Sequence, residues 1–300
     1  MPLLFRRGLW YHSAMDLNVT SPKTVKALMS EHGIAPLKKY GQNFLIDGNV
    51  SDKIAEAAAP QGAYVLEIGP GLGALTQRLL RRGCTVAAYE IDAGLCRALR
   101  EMYADEPRFS LFHGDFLKAD LKADLLPLFG QNEIYVAANL PYYITSPCIM
   151  KLLESGLPIS RVTVMVQKEV AQRVCAMPGS PDYGSLSAAV QFFAEPRLLF
   201  TVTASCFLPQ PEVSSAVMTL ALRDKLPGDA QSYLATVRML FAMRRKTVRS
   251  NLRQALNLSP EEAEALLGAA GVDADARAEN LGVSDFLEIS KKICEITIII

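Results

Sequence analysis

Residues 63–92 constrain the fold more than any other stretch of the chain. The apolar run AYVLEIG leads into a turn, Gly69-Pro70-Gly71-Leu72-Gly73, then into the helical segment ALTQRLLRRG and a second apolar run, TVAAYEID. Unbroken apolar runs of this length read as strands buried on both faces, the condition of a parallel sheet. Parallel neighbours need a crossover, and the helix stopped by Gly83 supplies one. The glycines let the backbone turn tightly and approach a ligand, while the helix N-terminus favours polar or anionic groups. Glu90 closes the second strand, 21 residues after Gly69. A carboxylate there can accept hydrogen bonds from both hydroxyls of a ribose. A tight turn beside a surface acid would share these letters, but the register of Glu90 with the glycines favours nucleotide binding.

The strand–helix rhythm continues through a helix ending near Tyr103, strands at 109–112, 133–138 and 161–166, and helices at 145–155 and 167–176. Upstream, residues 16–35 read as a helix capped by Ser21 with Pro22 at its first position. A second helix, from Val50 to Ala59, stops at Pro60. Between them lies the polar, glycine-containing loop KKYGQNFLID. The expected class is α/β, a Rossmann-like doubly wound sheet. After Gly184, SLSAAVQFFAEPRLLFTV and EVSSAVMTLAL read as strands forming an antiparallel edge. Helices are expected at 230–256, 260–270 and 284–295, and Pro and Gly near 226–229 mark a boundary. The resulting division is an extension that reads as disordered at 1–14, a sheet domain at 15–226 and a small helical domain at 227–300. The final ITIII reads as a short strand or a packed tail.

Composition removes several function classes. Lys+Arg and Asp+Glu balance at 31 each in a chain of 300, so any nucleic-acid surface must be a local patch. Six scattered cysteines without C-x-x-C, and only three histidines, give no zinc spacing; reduced thiols and no metal are expected. No apolar run approaches the roughly 20 residues that span a bilayer. A cytoplasmic monomer is the expectation.

The spacing G-x-G-x-G differs from the dinucleotide G-x-G-x-x-G, and Pro70 removes one amide donor from any pyrophosphate cradle. Asp115, in HGD at the end of the third strand, can accept from an adenine amino group. These features favour S-adenosylmethionine over NAD. The fourth strand, EIYVAA, runs into Asn139-Leu140-Pro141-Tyr142, at the ligand-facing end of such a sheet. An exocyclic amine of adenine is a poor nucleophile because its lone pair is delocalised. The Asn139 side-chain oxygen and the Leu140 carbonyl can accept its two hydrogens and localise that pair, Pro141 stiffens the turn, and Tyr142 offers a stacking face. A plain strand-end turn of Asn and Pro is the structural alternative.

With these residues in place, the chain resembles the small-subunit ribosomal RNA adenine dimethyltransferase family. The resemblance spans Met15 to Ser290 and rests on K-Y-G-Q-N-F-L (39–45), E-I-G-P-G-L-G (67–73), E-I-D (90–92), H-G-D (113–115), N-L-P-Y (139–142), Y-G-x-L-S (183–187) and F-L-P-Q-P-E-V-S-S-A-V (207–217). It implies a methyltransferase sheet with a small C-terminal helical domain, and S-adenosylmethionine as cofactor. It also implies cofactor contacts from Asn43, Leu45, Gly69, Glu90, Asp115 and Asn139, to which the glycine turn adds Gly71. Phe207 would help Tyr142 hold a flipped base. The implied substrate is a pair of adjacent adenosines, each dimethylated, in a loop near the 3′ end of small-subunit (16S) RNA. Related readings are a large-subunit adenine methyltransferase and a ribosome-assembly factor that has lost catalysis.

The segment 238–253 carries six basic residues and no acid. As one helix, at about 100° per residue, it would align Arg238, Arg245, Lys246, Arg249 and Arg253 on one face, with Arg244 on the apolar side. A solvated helix face is the usual explanation of such a run. In a neutral chain, RNA phosphate contact is the stronger expectation, with Lys38 and Lys39 extending the patch.

Overall fold

The computed structural model describes residues 4–6, 9–11, 15, 17–34 and 42–299. Seven strands form the main sheet: β1 (Tyr64–Ile68), β2 (Thr85–Glu90), β3 (Phe109–His113), β4 (Ile134–Asn139), β5 (Ile159–Gln167), β6 (Ala194–Val202) and β7 (Ser215–Leu222). Their spatial order is β3-β2-β1-β4-β5-β7-β6. The pairs β1–β2, β2–β3, β1–β4 and β4–β5 are parallel, and β7 runs antiparallel to β5. The order reverses between β1 and β4, so their carboxyl ends flank a crevice, the usual ligand position of such a sheet.

The helices of the first half are α1 (Pro22–Glu31), α2 (Gly48–Ala58), α3 (Ala74–Arg81), α4 (Ala93–Met102), α5 (Leu121–Phe129) and α6 (Thr145–Leu153). Carboxylates begin several of them. Asp47 accepts from Val50 N at 3.0 Å, Asp92 from Leu95 N at 3.0 Å, and Asp120 from Ala123 N at 3.1 Å. Strands β1, β2 and β4 are buried on both faces, with Val65, Leu66, Val86, Ala87, Val136 and Ala137 fully enclosed. Helix α5 escapes the sequence pattern because Pro127 interrupts a short apolar run; Leu121, Leu125 and Phe129 nevertheless face the core.

The chain divides into two compact units, residues 1–168 with 197–222, and residues 169–196 with 223–300. The helical unit therefore includes a stretch from upstream of the 226–229 boundary. It contains most of α7 (Lys168–Cys175), with α8 (Ser185–Phe193), α9 (Ala230–Leu240), α10 (Val248–Leu256), α11 (Pro260–Ala269) and α12 (Val283–Ile299). The expected strand over 185–193 is a helix. Ser187 Oγ accepts from Gly184 N at 3.0 Å at its start, and Ala188, Ala189, Val190, Phe192 and Phe193 are all buried. A short run that is apolar all round suits an enclosed helix as well as a strand. Phe192 stacks on Tyr233 at 4.2 Å, and Tyr233 meets Phe286 edge-on at 6.1 Å. The tyrosine hydroxyls are satisfied by backbone carbonyls: Tyr183 donates to Leu281 O at 2.9 Å and Tyr233 to Ala188 O at 3.0 Å.

Two further expectations change. The helix expected over 230–256 breaks at Phe241–Thr247. Buried Asn251 accepts from Met243 N at 3.0 Å and donates to Met243 O and Thr247 O, and Thr247 caps α10 through Ser250 N. The ITIII tail continues α12 as helix to Ile299 rather than forming a strand. Within 1–14, Leu4–Arg6 pairs antiparallel with Leu9–Tyr11; Lys38 and Lys39 lie outside the described residues. All six cysteines are free thiols. Among the described residues no helix is long and apolar enough to cross a membrane.

Candidate active site

The turn after β1 places Gly69, Gly71 and Gly73 at φ of +67°, +60° and +81°, where a side chain would be strained. At Gly73 space is also short, because an added Cβ would lie 2.9 Å from Tyr103 Oη. This turn forms one wall of a cavity of about 300 Å³ over the ends of β1, β2 and β4. Its lining brings together Asn43, Leu45, Gly69, Gly71, Glu90, Asp115, Asn139, Leu140, Pro141, Tyr142 and Phe207, although they come from six separate stretches of sequence.

Glu90 is buried at the end of β2. Its Oε2 accepts from Gly71 N at 3.2 Å and its Oε1 from Asp92 N at 3.0 Å, so the carboxylate ties the glycine turn to the start of α4. Burial pushes its pKa up to about 7, against the pull of these two amides. Glu67, on the neighbouring strand, is enclosed as well and accepts from Thr76 Oγ1 at 2.7 Å. Burial raises it to about 8, with a further push from Glu90. Two acids thus share one cavity, and the higher-titrating one is the more deeply enclosed. Asp115 caps a short 3₁₀ turn by accepting from Leu117 N at 2.9 Å.

On the facing wall, Asn139 ends β4. Its Nδ2 donates to the Asn43 carbonyl at 3.1 Å, which fixes the orientation of the amide. Leu140 N donates to Met165 O at 3.0 Å, holding the peptide that follows. Tyr142 Oη lies 3.0 Å from Ser215 Oγ, a hydroxyl pair that fixes the ring. Phe207 and Leu208 pair antiparallel with Leu45 and Phe44, so a two-residue ladder joins the F-L-P-Q segment to the Asn43 loop. Phe207 is 1% exposed, a wall of the cavity rather than a surface residue.

Sequence reasoning missed Glu67, Ile91, Leu117 and Tyr143, which line the same cavity. Glu67 and Ile91 lie inside motifs already recognised, and position beside the glycines and Glu90 was the available signal. Tyr143, 55% exposed, had none beyond adjacency to Tyr142.

The basic residues belong to the helical unit and do not form one helical face. Arg238 lies on α9, Arg245 and Lys246 in the exposed turn, and Arg249 and Arg253 on α10. Arg249 pairs with Asp275 at 2.6 Å and Glu264 at 3.3 Å, and Arg253 Nε donates to Leu258 O at 3.4 Å. Within this segment Arg249 is the arginine with carboxylate partners among the described residues. The break at Phe241–Thr247 removes the continuous helix on which the stripe was drawn.

The family model described as ribosomal RNA adenine dimethylase matches residues 36–295. The chain belongs to this family. It is an rRNA adenine methyltransferase. The ribosomal RNA small subunit methyltransferase A of Geobacillus thermodenitrificans is 42% identical over 290 residues, 93% of this chain and 98% of the relative. The protein of the same name from Shouchella clausii is 42% identical over 287 residues, 92% of this chain and 96% of the relative. Among solved structures, the 23S rRNA methyltransferase ErmE superposes with a TM-score of 0.64 at 28% identity, covering 84% of this chain and 100% of that one. A dimethyladenosine transferase from Plasmodium falciparum shares the fold, with a TM-score of 0.72 at 24% identity over 84% of this chain and 98% of that one. Fold and family imply dependence on S-adenosylmethionine.

Proposed function

We propose that this dimethylase uses the β1–β4 crevice to transfer methyl groups from S-adenosylmethionine to the exocyclic amines of adjacent adenosines near the 3′ end of small-subunit ribosomal RNA. The relatives named for the small subunit are 42% identical, whereas the 23S enzyme is 28% identical, which favours the small-subunit substrate. The cavity fits the cofactor in chemistry. Its glycine turn admits close backbone approach, Glu90 is a buried acceptor for ribose hydroxyls, and Asp115 lies at the end of the adjoining strand. When bound, S-adenosylmethionine supplies a methyl group on a positively charged sulfur.

The observation that carries the reading is the anchoring of Asn139. With Nδ2 donated to Asn43 O, the remaining Oδ1 is the acceptor for a base amine. Asn139 Oδ1 and Leu140 O then take the two amine hydrogens and leave the nitrogen lone pair directed outward. Tyr142, held by Ser215, stacks on the adenine, and Phe207 closes the apolar side. No strong base is needed at the reacting atom; alignment and hydrogen bonding do the chemistry. The test is methyl transfer from labelled cofactor to undermethylated small subunits, large subunits and DNA, with the product nucleoside identified. Dimethyladenosine confined to small-subunit RNA is expected, and product on large subunits or DNA instead would overturn the assignment.

A further inference from the structure

Helix α1 ends in Glu31 and is followed by His32, whose imidazole is nine-tenths buried. His32 Nε2 is inaccessible to solvent and has no hydrogen-bond partner among the described residues. A buried ring nitrogen left in this way costs free energy unless something engages it. The nearest polar atom of opposite character is Glu101 Oε2, on the last turn of α4, at 3.8 Å. That is within ion-pair range but too long for a hydrogen bond, so the contact leaves Nε2 without a direct bond. Ligand atoms of Glu31, His32 and Glu101 all lie within 4.8 Å of one another.

We propose that Glu31, His32 and Glu101 form a binding site for a divalent transition metal of the zinc class. The donor set, one imidazole and two carboxylates, balances a charge of two and is a set that zinc accepts. At metal–ligand distances near 2.1 Å, tetrahedral ligands are about 3.4 Å apart. The His32–Glu101 separation of 3.8 Å needs a closure of a few tenths of an ångström, and a spread of up to 4.8 Å among the three needs about 1.4 Å, within reach of rotation of the exposed Glu31 and Glu101 side chains. Nε2 then gains a direct bond in place of the long contact.

The site is distant from the reaction. It lies roughly 14 Å along α4 from the Asp92 cap, at about 1.5 Å per residue. Its effect is mechanical, because α1 and α4 each wall the cofactor cavity, through Val25 and Leu95. A metal bridging the ends of these helices holds that wall in place.

The test is a titration of the full chain, made without a histidine tag, with Co²⁺, followed by absorption and then by Zn²⁺ competition. One saturable equivalent is expected, with visible ligand-field bands, no thiolate charge-transfer band, and displacement by Zn²⁺. His32→Gln and Glu101→Gln should each weaken binding by about tenfold or more, with unchanged circular dichroism. Glu101→Gln alters an exposed, nearly isosteric end, so the test survives misfolding of the histidine variant. Absence of saturable binding, or affinity unchanged in Glu101→Gln, would overturn the proposal. So would a thiolate band, which places the metal on cysteine. A His32 proton titration that added metal leaves unperturbed would also overturn it, by making this a protonation site.

Discussion

Cofactor affinity should depend on pH through Glu90, with a size that follows from its surroundings. Ribose hydroxyls donate to a carboxylate, so the ionised form is the one that binds. With the pKa at about 7, the ionised fraction is about one-eleventh at pH 6 and ten-elevenths at pH 8. If only the ionised form binds, affinity for S-adenosylmethionine falls by about tenfold over that interval, or about 1.4 kcal/mol. Complex formation should release protons near pH 7, because the hydroxyls pull the carboxyl back toward its ordinary range. Isothermal titration calorimetry at pH 6, 7 and 8, in buffers of different ionisation enthalpy, measures both quantities. Glu90→Gln supplies the control: affinity about 1–3 kcal/mol weaker at pH 8, with Glu90's share of the pH dependence gone. Wild-type affinity that is flat, or that rises on acidification, would refute the role given to Glu90. So would a Gln variant with the same profile.

Asn139→Ala should remove methyl transfer by about a hundredfold or more, since a transition-state hydrogen bond of this type is worth roughly 2.7–4 kcal/mol; single-turnover rates with saturating cofactor check it. Glu67 and Glu90 are both raised above the ordinary 4.5. The stability they permit is therefore complete below about pH 4.5 and is lost as pH rises through about 7 and 8. Glu67→Gln should accordingly stabilise the protein by about 2–4 kcal/mol at pH 8 and by less than about 1 kcal/mol at pH 5, read from urea unfolding at the two pH values. Charge reversal of Arg245 and Lys246, in the exposed turn, should lower the salt slope of RNA binding by about one unit per lost phosphate contact with folding intact. Arg249→Glu should instead lower the melting temperature, because Glu264 and Asp275 lose their partner; the same salt titration and a thermal scan distinguish the two.

The parallel half of the sheet was legible because both-face burial produces unbroken apolar runs separated by glycine turns, as in 63–73 and 85–90. Asn139 and Glu90 were legible for a related reason: chemistry at the ends of central strands lies next to the strongest pattern in the chain. The failures have particular causes. In 185–193 six of nine side chains are buried, among them the consecutive run Ser187–Val190, so neither period survives in the letters. In 241–247 the break is set by Asn251, a single polar side chain reaching back eight residues to Met243, and periodicity cannot register it. His32 and Glu101 come from different helices, so their proximity has no spacing signature.

The stacking of Phe192 on Tyr233 and of Tyr233 against Phe286 also sets a schedule for synthesis. Helices α7 and α8 leave the ribosome before β7 and before every other helix of their unit. At about 5–20 residues per second, Phe192 must wait roughly 5–20 s for Phe286 to be made. During that interval an apolar helix has no permanent cover. A fragment beginning at residue 227 would carry the reciprocal defect, with Tyr233 deprived of Phe192 and of its acceptor at Ala188. The helical unit is thus complete only when both 169–196 and 223–300 are present.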